Sequence, residues 1–219
     1  MDAMRRTIAE RMVLSRRVSA HVHTVFEVDF SRVVALREAH KAEFARQGAR
    51  LTYLSFIARA AATAIGAVPV VNSSVDGDRI VYRRDVNLGI AVALDWGLIV
   101  PVVRGAQRLS LAELSRAIGE LADRARARQL SPEDVQGGTF TITNHGVSGA
   151  LFGMPIINQP QVAILGVGAV IKRPVVVGDQ IAIRPMAYLT LGFDHRLIDG
   201  ATADRFMSAL KQELEHCEL

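Results

Sequence analysis

Along this chain, stretches whose apolar residues recur at helical spacing alternate with runs that are apolar at successive positions. Met4, Ile8, Met12 and Val18 mark an opening amphipathic helix or arm, with arginines around it. His21 to Phe30 reads as a strand. Ser31 is expected to cap a helix through Val34, Leu36, Ala39 and Phe44 that stops near Gly48. Thr52 or Ser55 caps the next one, whose Phe56, Ile57, Ala60, Ala61, Ala64 and Ile65 form a wide apolar stripe ended by Pro69.

Asp76-Gly77 punctuates a hairpin, after which Val86 to Leu94 and Leu98 to Val103 read as two buried central strands joined through Asp95-Trp96-Gly97. Ser110-Leu111-Ala112-Glu113 has the capping-box pattern and starts a helix reaching about Gln129, and Ser131-Pro132 opens a short helical turn. Thr139 to Asn144 and Val162 to Ile171 are strands, with a glycine-containing loop from His145 between them. Gly178-Asp179 turns a hairpin into a long strand over 181–193, and Gly200 leads into a final helix through Ala203, Phe206, Met207, Leu210 and Leu214. Together these predict one α/β domain: a two-layer sandwich with a mixed central sheet and helices packed on it.

With 219 residues, 50% of them hydrophobic, the chain can bury the core of such a domain. No run of about 18 uncharged apolar residues is present, and charges at Asp2, Arg5 and Arg6 argue against a signal peptide, so a soluble, intracellular protein is expected. Cys217 alone cannot form an internal disulfide and reads as an incidental thiol. The net charge of +4 comes from dispersed residues in a chain with 5% aromatics, which disfavours nucleic acid and suits a phosphate-bearing small ligand. The glycines after His145 fit neither a phosphate loop nor a dinucleotide fingerprint. His21 and His23 share a strand face but lack the further ligands that zinc needs, so no metal site is expected.

The chemistry converges on Phe193-Asp194-His195-Arg196-Leu197-Ile198-Asp199-Gly200. An imidazole on a strand-to-helix turn can take and return a proton near neutral pH. Taken alone, the same residues also suit a satisfied turn histidine with Asp199 as a helix cap.

His195-Arg196-Leu197-Ile198-Asp199-Gly200 resembles the His-Arg-x-x-Asp-Gly motif of the dihydrolipoamide acyltransferases, the core enzymes of 2-oxo acid dehydrogenase complexes. The likeness extends to Met4-Arg5-Arg6-Thr7-Ile8-Ala9, Val70-Val71-Asn72-Ser73-Ser74, Gly97-Leu98-Ile99-Val100-Pro101-Val102, Gly137-Gly138-Thr139-Phe140-Thr141-Ile142-Thr143-Asn144 and Ile156-Ile157-Asn158-Gln159-Pro160-Gln161. It implies the chloramphenicol acetyltransferase-like fold and acyl transfer between a dihydrolipoyl thiol and coenzyme A. His195 would be the base and Thr143 the donor to the oxyanion. Asp199 would pair structurally with Arg5, and Arg37, Thr52, Asn144 and Gly168 would contact coenzyme A.

The resemblance further implies a homotrimer with sites between subunits, a larger cage, and a lipoyl group on a separate domain or chain. Oxo acid dehydrogenase and dihydrolipoamide dehydrogenase subunits would be partners, in the cytoplasm or a mitochondrial matrix. No lipoyl or subunit-binding domain is recognisable, so residues 1–219 read as a catalytic domain. Thr143-Asn144 and the histidine motif look closer to the succinyl and branched-chain types than to the acetyl type. A non-catalytic scaffold and an acyltransferase acting on a small alcohol are the alternatives; the retained histidine argues against the first.

Overall fold

The computed structural model describes residue 1 and residues 3–219; Asp2, one of the charges noted at the start, lies outside the described residues. An opening helix α1 (Ala3–Val18) leads into β1 (His21–Asp29), α2 (Ser31–Arg46) and α3 (Tyr53–Ala67). The hairpin β2 (Ser73–Asp76) and β3 (Arg79–Tyr82) follows, then β4 (Leu88–Ile90), β5 (Val92–Leu94), β6 (Gly97–Ile99), β7 (Val102–Val103) and α4 (Leu111–Arg126). The second half holds β8 (Phe140–Asn144), β9 (Ala163–Val167), β10 (Ile171–Val177), β11 (Gln180–Asp194) and α5 (Gly200–Glu215).

The main sheet runs β1-β11-β9-β8-β4-β7, with β10 paired to the first half of β11. Pairing is parallel at β4-β8 and β8-β9 and antiparallel elsewhere, so the sheet is mixed as expected. Strand alternation sorts its two faces. Phe140, Leu189, Leu191 and Phe193 are buried against the helices, the Phe140 ring 5.7 Å from Phe206 of α5. Thr141, Thr143, Gly166, Thr190, Gly192 and Asp194 alternate onto the opposite face. That face is covered by the segment 145–160, here called the strap.

Glycines let the strap lie close. A Cβ on Gly168 would stand 1.8 Å from Leu151 O, and one on Gly192 would stand 3.1 Å from Pro155 O. The first would push the strap off the sheet; the second would make His23 and the strap give by a few tenths of an ångström.

Three expectations need correction. Val162 to Ile171 is not one strand, because β9 ends at Val167 and β10 begins at Ile171. Ser31 is the first helical residue of α2 and not its cap; Asp29 supplies the cap chemistry by accepting the Ser31 N–H at 2.7 Å. The stretch 86–103 is not a pair of long buried strands. Ile90 donates to Pro101 O and Ala91 to Ile142 O, after which β5 and β6 pair with each other as a separate ribbon on which Leu98 is 51% exposed. The caps at Thr52 and Ser110 form as anticipated, each as a reciprocal box with the residue three places on.

Candidate active site

His195 sits where β11 ends and is exposed. Its backbone is held because its N–H donates to Ala20 O at 2.9 Å, and its ring lies 5.9 Å from that of Phe193. Asp194, fully buried, anchors the turn by accepting from Ala20 N at 3.2 Å, Arg196 N at 3.1 Å and the Arg196 guanidinium. Burial alone would raise the Asp194 carboxyl, but the bonds from Arg196 and Ser19 outweigh it and hold the group below the usual carboxylate range.

Asp199 caps α5, accepting the Thr202 N–H at 2.7 Å. The same Thr202 contacts, followed by Arg205 and His195, keep its carboxyl ionised to lower pH than usual. The cap role read from sequence is therefore present. Arg5 is an exposed residue of α1.

Thr143 is half-buried near the end of β8, on the strap face, and its hydroxyl makes no hydrogen bond among the described residues. The register fixes its distance from His195: Thr143 lies beside Gly166, Gly166 beside Thr190, and His195 follows Thr190 by five residues. At about 3.3 Å per residue, that is about 16 Å along the strand direction, with two steps between neighbouring strands added across it. The two cannot act on one atom within one chain.

Asn144 accepts the Gly146 N–H at 2.9 Å, and Gly168 donates to Tyr188 O at 2.9 Å, both at the Thr143 end of the sheet. Arg37 stacks over the Tyr53 ring at 5.4 Å and pairs with Glu38 at 2.5 Å, beside the cap residue Thr52. Phe30, which follows β1, packs on this pair, its ring 6.1 Å from Tyr53. Asn144 and Gly168 thus lie at the Thr143 end of the sheet, while Arg37 and Thr52 belong to the helix layer.

Sequence reasoning missed two histidine roles. His145, the first residue of the strap, packs against Gly153 and Gly166, its Nδ1 buried without a partner among the described residues and its pKa lowered by burial. His21 and His23 are not an open strand surface, because both bond to the strap. Period two located them on one face, but nothing local indicated what would cover it. Among the described residues no group of three potential metal ligands occurs.

Residues 1–219 match the catalytic domain of the 2-oxoacid dehydrogenases acyltransferase family. The chain belongs to that family. The dihydrolipoyllysine-residue succinyltransferase component of the 2-oxoglutarate dehydrogenase complex of Bartonella vinsonii subsp. berkhoffii is 46% identical over 100% of this chain and 53% of its own length. The chain thus spans about half the length of the curated relatives it matches. Among solved structures, the dihydrolipoamide acetyltransferase of Azotobacter vinelandii has a TM-score of 0.95 at 34% identity, covering 99% of this chain and 90% of that one. A serine, a histidine and an asparagine of that enzyme have been investigated for their role in its catalytic mechanism. A chloramphenicol acetyltransferase, at 13% identity and TM-score 0.60 over 94% of both chains, shares the fold alone.

Proposed function

We propose that this acyltransferase domain moves an acyl group between the thiol of a dihydrolipoyl arm and coenzyme A, as core of a 2-oxo acid dehydrogenase complex. One observation carries the reading. The spacings between the serine, histidine and asparagine investigated in the Azotobacter enzyme equal those between Thr143, His195 and Asp199 here. Thr143 keeps a hydroxyl where that enzyme has serine. Asp199 replaces the amide with a carboxylate, consistent with a structural partnership with Arg5.

The chemistry follows from ordinary acid-base behaviour. A free thiol, with a pKa of about 8.5, is mostly protonated near neutrality, so a base in contact raises the thiolate at the moment of attack. His195 takes that proton as the sulfur bonds to the thioester carbonyl carbon. The carbonyl oxygen becomes an oxyanion, stabilised by the Thr143 hydroxyl. Collapse breaks the original carbon-sulfur bond, and the imidazolium returns its proton to the departing thiolate. No acyl-enzyme is needed.

Because Thr143 and His195 lie about 16 Å apart along the strands of one chain, the working site takes two copies, with His195 of one facing Thr143 of the next. A homotrimer with three such channels satisfies this; a cage of trimers is a further level of assembly. Coenzyme A enters from the Thr143 side, past Arg37, Thr52, Asn144 and Gly168. The lipoyl arm enters from the other, carried on a separate domain or chain that oxo acid dehydrogenase and dihydrolipoamide dehydrogenase also serve. Bacterial cytoplasm or mitochondrial matrix suits that complex, and among the described residues no helix is long and apolar enough to cross a membrane.

The name of the Bartonella relative favours a succinyl group over an acetyl group, with branched-chain acyl groups second. Steady-state rates with succinyl-, isobutyryl- and acetyl-CoA and dihydrolipoamide test both levels. Activity only with small alcohols as acceptors would reassign the enzyme, and none with any acceptor would leave a scaffold.

A further inference from the structure

His21 and His23 stand on the same face of β1 and carry opposite ring tautomers. His21 Nδ1 lies 3.0 Å from Ser19 O, which can only accept, so Nδ1 holds the proton and Nε2 accepts the Ile157 N–H at 3.1 Å. His23 is reversed: its Nε2 lies 3.0 Å from Pro155 O and is the donor. The two rings grip one short length of strap, one by its N–H and the other by its C=O. Adding a proton to an imidazole keeps a donor and destroys an acceptor. Only the His21 grip is lost on protonation.

The gripped point is tied to the catalytic corner. Ser15 Oγ donates to Ile157 O at 2.6 Å, and Gln159 Nε2 donates to Ser19 Oγ at 2.8 Å. Ala20, next to His21, accepts the His195 N–H at 2.9 Å. The strap itself begins just after Thr143.

We propose that His21, in its neutral form, is a positioning residue that clamps the strap at Ile157 to the backbone holding His195. Its functional consequence rests on the acyltransferase reading; the clamp does not. Arg16 from α1, His23 from the same strand and Asp194 from the end of β11 are the charged or titratable groups that act on it, and residues 155–160 of the strap contain none. Burial first, then Arg16 and His23, lower the His21 pKa, against the Ser19 carbonyl and Asp194, which raise it. A lowered value means that the fold favours the neutral ring. The clamp is complete above the ordinary pKa of about 6.5 and is lost as pH falls through the folded value.

Hydrogen exchange at the Ile157 amide, followed by NMR in the wild type, His21→Gln and His21→Phe, tests the clamp directly. The Gln amide oxygen can accept the Ile157 N–H but cannot take up a proton. Wild-type protection, corrected for intrinsic exchange, should be high at about pH 8 and fall by about fivefold to tenfold at a pH below the folded His21 pKa, the equivalent of one hydrogen bond. In His21→Gln it should stay high at both values, and in His21→Phe it should be low at both. Turnover should follow: His21→Phe loses about fivefold to tenfold in kcat with little change in KM, while His21→Gln retains activity with a shallower acid limb. Wild-type protection that ignores pH, or equals that of His21→Phe, overturns the proposal. A wild-type protein that shows the exchange pattern but transfers no acyl group would remove the acyltransferase reading and leave the clamp standing.

Discussion

The Asp194 carboxylate and the Arg196 guanidinium close a two-point fork around the turn that carries His195, at 2.7 Å for Nη2 to Oδ2 and 3.0 Å for Nε to Oδ1. The residues on either side of the histidine therefore build its support. Asp194 is buried while the Arg196 side chain is 41% exposed, so losing the arginine strands a carboxylate that water cannot reach. Arg196→Met should destabilise the fold by about 2–3 kcal/mol, less than the roughly 3–5 kcal/mol of a fully buried pair because the guanidinium is partly solvated. The pH dependence has a definite sign. With its folded pKa depressed, Asp194 contributes stability above its unfolded pKa of about 3.9 that is lost as pH falls through the folded value. Thermal melts of the wild type and Arg196→Met from neutral to acid pH should converge, and a constant gap in melting temperature would contradict this account.

His195→Ala should abolish thiol-to-thiol acyl transfer while leaving fold and assembly intact, since the side chain is exposed and the turn is held through the backbone and Asp194. A general base contributes at least about 100-fold. A purified variant with more than about a tenth of wild-type turnover would rule out that role.

Thr143→Ala should lower turnover on the order of 100-fold, as for one lost oxyanion donor, and Thr143→Ser should be mild. The hydroxyl has no partner among the described residues, so removing it leaves no buried group unsatisfied and stability should hardly change. Equal loss in the Ser and Ala variants would point to packing of the methyl group.

Local chemistry was legible where a signal lies within a few residues. The capping boxes at Thr52 and Ser110, the Gly77 and Gly178 turns and the stop at Gly48 all form because short-range sterics and hydrogen bonds decide them. Ser31 failed as a cap because the helix starts one residue earlier than expected: Ser31 is already helical and its own N–H is taken by the charged oxygen of Asp29. Val86 to Val103 failed because hydrophobicity does not say which partner a strand takes. Beyond Ala91 the ladder partner changes, and the Trp96 turn of the β5-β6 ribbon packs against Arg128, its guanidinium carbon 5.2 Å from the ring. Likewise the histidine motif announced a site, whereas the bonds of His21 and His23 span more than 130 residues and have no local sequence signature.

The separation of Thr143 from His195 also lies beyond local reading, and it yields the sharpest test of assembly. If each site takes His195 from one subunit and Thr143 from the next, His195→Ala and Thr143→Ala trimers are each inactive, yet each subunit keeps what the other lacks. After dissociation and random reassembly, some interfaces pair an intact His195 with an intact Thr143. Activity should reappear in proportion to such interfaces, with light scattering verifying mixed trimers. A site within one chain predicts no recovery, because every subunit would still carry a lesion. Verified mixed trimers without activity, or an active wild-type monomer, would end the shared-site account and leave the separation along the sheet without a catalytic explanation.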